Sequence, residues 1–477
     1  MWSDFMVKSD FDFVSIQLKP EKDLPLYVQL YQQLADLIRA GKIVENYRLP
    51  AIRKLAQSLE VNPGTVVNAY KELEKNGFIY SKLGSGSYVA KQEQPSESFN
   101  LPFGVTEVDD NQADYLDLTT VSLSPDLVSV KDFQTAIDQV LKTAGSYAFS
   151  AQESQGYYPL RQALCSELAK SSIYTAPQNV QIISGAQQGI DIIARTLLKH
   201  GDTVLVENPT YPGALAAFRA CGAKIIDVKM TADGMDMEEA ETKIRLYRPK
   251  LIYTMPNVQN PTGITYSKAK KRKLLGLARH YGAYILEDDS LSGLYYQSEN
   301  TKPIKIYDQD ERVIYILSLS KLFMPGLRLG YLLVPTELLA RVRTIKHLAD
   351  IATSGLIQRV YDYYLRNGLW SKHLTSLKKS YQQRFEYCQQ LLEKQLGKQV
   401  SYQLPQGGLT FWLKLPAKVS AKMVAQKAKK QGVLVTPGQV FYARQADDSH
   451  LRISFAGVDE QQAKEALTIL GQIIKAE

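Results

Sequence analysis

Six short, almost wholly apolar runs, at 181–183, 203–206, 251–253, 283–286, 313–317 and 331–334, are separated by helix-length segments in the C-terminal part of this 477-residue chain. A strand that is apolar on both faces must be covered on both faces, so the alternation predicts a largely parallel sheet between helical layers. The rhythm extends over 115–477 and defines an α/β domain. From about 371 a long amphipathic segment, the string Gly407-Gly408-Leu409-Thr410-Phe411-Trp412, a helix near 421–431 and strands at 432–436 and 451–455 predict a smaller α+β subdomain. No apolar stretch approaches the roughly 18 residues of a membrane span, and residues 1–8 lack a secretory signal's profile. A cytoplasmic protein without membrane association is expected.

The N-terminal part has another period. Residues 1–23 are an irregular arm. Leu30, Leu34, Leu37 and Ile38 mark one face of a helix over 26–43, closed by Gly41, and Ile52, Leu55, Ala56 and Leu59 mark a second over 51–59. Asn62-Pro63 supplies an N-cap and a first helical residue for a third, with Val66, Ala69, Tyr70 and Leu73 as its apolar stripe. The segments 78–83 and 87–90, joined by Gly84-Ser85-Gly86, read as a hairpin. Three short helices and a hairpin describe a winged helix-turn-helix over 24–90, and the polar stretch 91–114 reads as a linker.

Composition narrows the chemistry. With 45% hydrophobic and 22% charged residues the chain is an ordinary globular one. Cys165, Cys221 and Cys388 and the five histidines are scattered, so neither a disulfide framework nor a metal site is expected. A net charge of +8 is weak ground for nucleic-acid binding, but 39–90 alone holds eight basic and four acidic residues. Asn62, Gly64, Thr65 and Asn68 fall at the start and open side of the third helix, where base edges are read. Arg53, Lys54, Lys82 and Ser85 suit the DNA backbone or base edges. Winged helices also serve as protein–protein modules, with such charges as a solvated face.

The strings Pro25-Leu26-Tyr27, Arg48-Leu49-Pro50-Ala51-Ile52-Arg53-Lys54-Leu55-Ala56, Val61-Asn62-Pro63-Gly64-Thr65-Val66 and Gly84-Ser85-Gly86-Ser87-Tyr88-Val89 closely resemble the GntR-type DNA-binding domain. That resemblance implies a double-stranded DNA operator as partner. Pro63-Gly64 departs from the family pattern.

In the large domain, Ser318-Leu319-Ser320-Lys321 and Pro325-Gly326-Leu327-Arg328-Leu329-Gly330 follow an apolar run. A lysine at a strand end, flanked by hydroxyls and followed by an arginine, suits an imine-forming amine beside a phosphate pocket. Glu287-Asp288-Asp289 places carboxylates at another strand end, where one can hold a pyridine nitrogen protonated. Asn260, in Asn260-Pro261-Thr262-Gly263, is a donor for a ring hydroxyl. Ser184-Gly185-Ala186-Gln187 opens a helix whose amides suit a phosphate. Tyr211 can stack on a flat ring, and Arg452 can pair with a carboxylate.

In this order these segments resemble the class I/II aminotransferases of pyridoxal 5'-phosphate (PLP) fold type I. The resemblance implies PLP as cofactor, with Lys321 as the internal aldimine, Asp288 at the pyridine nitrogen, Asn260 at the ring hydroxyl and Tyr211 on the ring. It places Gly185, Ala186, Gln187, Ser318, Ser320 and Arg328 on the phosphate and Arg452 on a substrate carboxylate. Ser290-Leu291-Ser292 stands where relatives carry a tyrosine, and 148–156 lacks the tyrosine that relatives lend across a dimer.

The fusion of the two resembles the MocR/GabR family of transcriptional regulators. It implies a homodimer that senses an amino acid or amine as an external aldimine and reports it to DNA. Two alternatives stand beside this: a competent aminotransferase with an appended DNA-binding domain, and a scaffold that no longer binds PLP.

Overall fold

The computed structural model describes residues 13, 16–19, 24–39, 42–82, 85–90, 115–296, 302–444 and 448–477. The linker assigned to 91–114, nearly all of the arm 1–23, Gly41 and Gly84 lie outside them, and at Lys82 only the backbone is described. The chain divides into two compact units, 1–100 and 101–477.

The smaller unit consists of α1 (Leu26–Arg39), α2 (Ile52–Ser58), α3 (Pro63–Lys75) and a hairpin of β1 (Ile79–Lys82) and β2 (Gly86–Val89). Asn62 caps α3 by accepting from the Gly64 amide at 2.8 Å, and Pro63 occupies the first helical position, where a missing N–H costs nothing. Helices α1 and α3 pack together, and Leu30 and Leu34 of the one and Val66, Ala69 and Leu73 of the other are fully buried. The Tyr70 hydroxyl ties α3 to the start of α2 through the Pro50 carbonyl, 2.8 Å away. Two expectations are corrected. Helix α1 ends at Arg39 rather than 43, and Ile52, placed on the buried face of α2, is exposed because that two-turn helix buries only Leu55 and Ala56.

In the larger unit, β3 (Leu116–Asp117), α4 (Val130–Ala144) and α5 (Tyr158–Lys170) precede the sheet. There follow β4 (Val180–Ile183), α6 (Ala186–Leu197), β5 (Thr203–Asn208), α7 (Pro212–Ala220), β6 (Lys224–Thr231) and β7 (Gly234–Met235). Then come α8 (Met237–Tyr247), β8 (Leu251–Thr254), α9 (Lys268–Tyr281), β9 (Tyr284–Asp288), β10 (Val313–Ser318) and β11 (Gly330–Leu333). The chain ends with α10 (Leu339–Asp350), α11 (Gly355–Arg366), α12 (Leu369–Gln395), β12 (Thr410–Lys414), α13 (Ala421–Lys430), β13 (Val433–Leu434), β14 (Thr436–Pro437), β15 (His450–Ser454) and α14 (Glu460–Ala476).

Eight strands form one sheet in the order β4-β11-β10-β9-β8-β5-β6-β7. From β10 through β6 all pairs are parallel, whereas β11 is antiparallel to both its neighbours and β7 to β6. Both faces are buried. Along β5, Val204 and Val206 pack with Ile190 and Ile193 of α6, while Leu205 between them packs with Ile244 of α8 and Leu274 of α9. Each such side chain contributes about 1.5–3 kcal/mol by leaving water. Because β4 runs with the parallel set, the carboxyl ends of β4, β5, β8, β9 and β10 meet at one edge, where ligands of open α/β sheets bind. The sheet β12-β15-β14, with α12, α13 and α14, forms the smaller subdomain. Among the described residues no helix is long and apolar enough to cross a membrane.

Candidate functional site

The motifs at 184–187, 207–213, 257–263, 287–289 and 318–321 lie at the carboxyl ends of β4, β5, β8, β9 and β10, while Arg452 comes from β15 of the smaller sheet. Lys321 sits in the turn after β10 and donates through Nζ to the Val121 carbonyl oxygen at 2.6 Å. Burial, with Arg452 and Arg328 adding to it and Asp288 opposing, lowers its amine to a pKa of about 8. Lys321 is thus close enough to feel the charges of Asp288, Arg328 and Arg452. Tyr211 feels Asp288, Arg328 and Arg452, and its hydroxyl is pushed up to about 12, chiefly by burial.

Asp288, the last residue of β9, is buried. Its Oδ2 accepts from the Tyr253 hydroxyl at 3.1 Å, and its Oδ1 from Ser290 Oγ at 2.5 Å. Burial raises its carboxyl's pKa against the pull of these donors. Asp289 points into a different network, with Asn257 and Tyr315 each 2.7 Å from it. Burial carries its pKa up to about 6.

Gly185 precedes α6 with φ +106°, a conformation open to glycine, and a Cβ there would lie 2.7 Å from Arg328 Nη2. Arg328 Nη2 donates to the Ser184 carbonyl at 2.9 Å, and Nη1 to Ser320 Oγ at 3.2 Å. Ser318 Oγ lies 3.2 Å from Ser320 Oγ. The arginine thereby joins the opening of α6 to the lysine turn. Ala186 and Gln187 form the first turn of α6, and the Gln187 side chain donates to the Gly213 carbonyl at 2.9 Å.

Arg452, in the middle of β15, is only 2% exposed. Its Nη2 donates to the Thr119 carbonyl at 2.7 Å and to Thr436 Oγ1 at 3.2 Å; its Nη1 donates to Asn260 Oδ1 at 3.4 Å. Burial lowers its pKa to about 10, which leaves it charged at neutral pH. Among the described residues, buried Arg452 Nε, Asn208 Oδ1 and Thr210 Oγ1 have no hydrogen-bond partner.

Ser290 turns to Asp288, Leu291 is buried in the apolar core with Val258 and Leu294, and Ser292 Oγ donates to the Asp289 carbonyl at 3.2 Å. Sequence reasoning missed Tyr253, which reads as core within an apolar run. It also missed the carbonyls of Thr119 and Val121, which no side-chain motif announces.

In the smaller unit Arg53, Lys54, Asn62, Gly64 and Asn68 are exposed and Thr65 is half-buried. The Ser85 hydroxyl lies 2.6 Å from that of Tyr88, and the Lys82 side chain lies outside the described residues.

The larger unit has the fold type I architecture of aminotransferases. Residues 121–470 match the family described as aminotransferase class I and II, and 26–89 match bacterial regulatory proteins, gntR family. The chain therefore belongs to the aminotransferase class I and II family, in the MocR/GabR-type form that carries a gntR helix-turn-helix at its head. An uncharacterized HTH-type transcriptional regulator of Bacillus subtilis, YdfD, is 29% identical over 478 residues, covering 96% of this chain and 98% of its own. Aromatic-amino-acid aminotransferase 1 of Thermococcus litoralis is 29% identical, covering 74% of this chain and 86% of its own. Among solved structures, a multiple substrate aminotransferase from Thermococcus profundus superposes with a TM-score of 0.74 at 30% identity, over 78% of this chain and 95% of that one. LysN, an alpha-aminoadipate aminotransferase from Thermus thermophilus complexed with N-(5'-phosphopyridoxyl)-L-leucine, gives 0.73 at 28% identity, over 80% and 98%.

Proposed function

We propose that this protein is a homodimeric transcriptional regulator that binds an operator duplex through its winged helix and senses an amino acid or amine at a PLP site in its larger unit. The observation that carries this reading is the convergence of Lys321, Asp288 and Arg328 at the sheet edge with Arg452 of β15, which reaches Asn260 of the β8–α9 loop, in a chain headed by a gntR module.

The residues fit PLP. A lysine with a lowered pKa, a buried carboxylate held by two hydroxyls, a glycine cradle against an arginine and three buried polar atoms awaiting partners supply what such a group needs. PLP, when bound, supplies an electron sink for a carbanion next to an amine. Lys321 Nζ can release and recover a proton near neutral pH. Asp288 offers an acceptor for a ring N–H, and Asn260, whose Oδ1 already accepts from Arg452, offers its Nδ2 to a ring oxygen. Tyr211 supplies a flat apolar face. The first amides of α6, from Gly185 through Gln187, and the Ser318, Ser320 and Arg328 side chains meet a phosphate. Arg452 pairs with a carboxylate.

At the head, Arg53, Lys54, Lys82 and Ser85 would meet the backbone or base edges, and Asn62, Gly64, Thr65 and Asn68 a groove. The exposed apolar side chains of Tyr147, Phe149, Leu348 and Ile351 support a dimer of the larger unit. Ligand binding need couple to DNA affinity by only about 1–3 kcal/mol to change operator occupancy five-fold or more. A second reading, an aminotransferase with an appended head, is favoured by the same lysine, aspartate and carboxylate-binding arginine.

The test is a screen of amino compounds that reads the cofactor's absorbance and operator affinity together. A compound that shifts both supports a sensor. Steady release of keto acid with no change in DNA affinity favours the enzyme, and a protein that never takes up PLP overturns both.

A further inference from the structure

The loop between β8 and α9 carries Asn260, and the three residues before it are held in an unusual way. Asn257 Nδ2 donates to Asp289 Oδ1 at 2.7 Å, while its Oδ1 accepts from Lys271 Nζ at 2.5 Å. Gln259 Nε2 donates to Glu207 Oε2 at 3.0 Å and to the Pro209 carbonyl at 2.7 Å. Gln259 Oε1 accepts from the amide and the hydroxyl of Thr262 at 3.0 and 2.6 Å. Between these two anchors Val258 stands at φ +53°, a left-handed conformation that strains a β-branched residue. Such a conformation persists only where the surroundings enforce it.

The two carboxylates are well placed to do so. Glu207, with no exposed surface, is the penultimate residue of β5 and also accepts from Thr254 Oγ1 at 2.7 Å, the Met255 amide at 2.9 Å and Tyr266 Oη at 2.8 Å. Asp289, 2% exposed, follows β9 and also accepts from Tyr315 Oη at 2.7 Å. Each is tied to a strand of the sheet on one side and to a loop residue flanking Val258 on the other.

We propose that Glu207 and Asp289 are positioning residues. By anchoring Gln259 and Asn257 on either side of strained Val258, they fix the path of the loop and so the direction of Asn260. The loop's anchoring stands on these contacts alone; its consequence for the cofactor rests on the reading above, which puts Asn260 at the ring hydroxyl.

Glu207→Gln and Asp289→Asn keep side-chain volume but set an amide donor against donors already present. Hydrogen exchange of the amides in 257–263, followed in cofactor-free full-length protein, should accelerate on the order of tenfold in each variant, with PLP affinity falling on the same order. Gln259→Met, which leaves Glu207 its other donors, serves as the second variant should a carboxylate change prevent folding. Unchanged exchange across the loop overturns the proposal, as does a loosened loop with undiminished PLP affinity. A wild-type protein that takes up no PLP while the variants still loosen the loop leaves the anchoring in place and defeats the reading of the site instead.

Discussion

Gly185 lies so close to Arg328 that a Cβ on the glycine would stand 2.7 Å from the guanidinium Nη2, and the arginine would have to shift to admit it. Gly185→Ala therefore meets both a clash and a φ of +106° that alanine rarely adopts, a strain of about 1–3 kcal/mol. The expected outcome is a lower melting temperature and, with Arg328 displaced, weaker PLP uptake by equilibrium titration. An unchanged affinity for PLP would separate this arginine from the phosphate.

Lys321→Ala should abolish the borohydride-reducible adduct with PLP while leaving DNA binding by the head intact. In the wild type, the amine's pKa of about 8 means that the neutral, nucleophilic form increases as pH rises through 8 rather than through the usual 10.5. The rate of PLP capture by cofactor-free protein should thus reach half its plateau near pH 8. A midpoint above 10 would show an amine in ordinary solvent.

Arg452→Met should distinguish classes of effector. Amino acids should lose affinity by about tenfold or more, because a buried charge-assisted pair to their carboxylate is gone. Amines without a carboxylate should be little affected. Calorimetry on the PLP-loaded protein with an amino acid and its decarboxylated counterpart reads the difference, and an equal loss for both would remove the carboxylate from Arg452.

At the head, Arg53→Ala should weaken DNA binding across sequences and reduce the salt slope by about 1. Asn62→Ala should act on stability as well, since the side chain caps α3. The lost cap costs about 1 kcal/mol, visible in thermal melts without DNA.

The legible parts of the fold were those whose local pattern and tertiary environment agree. Strands β4, β5 and β8 to β11 announce themselves because both faces are buried, and α3 because cap, proline and apolar stripe coincide. Strands β6 and β7 were missed: β6, near the sheet edge, interleaves Lys224, Asp227 and Lys229 with its apolar residues and so breaks the continuous run. The pairing of β3 with β13 joins Leu116 to Val433, which no local signal can reveal. Likewise, motif residues of the site were visible as chemistry, but their supports were not. Tyr253 looks like any core aromatic, and Glu207 shows its use only when the β8–α9 loop is folded against it.

Lys321 and Arg452, proposed above to take the cofactor and a substrate carboxylate, are both moored to the opening stretch of the larger unit, Lys321 to the carbonyl of Val121 and Arg452 to that of Thr119. Any ligand that draws either away must first outcompete main-chain oxygens two residues apart, so occupancy and the slackening of that stretch become a single exchange of partners.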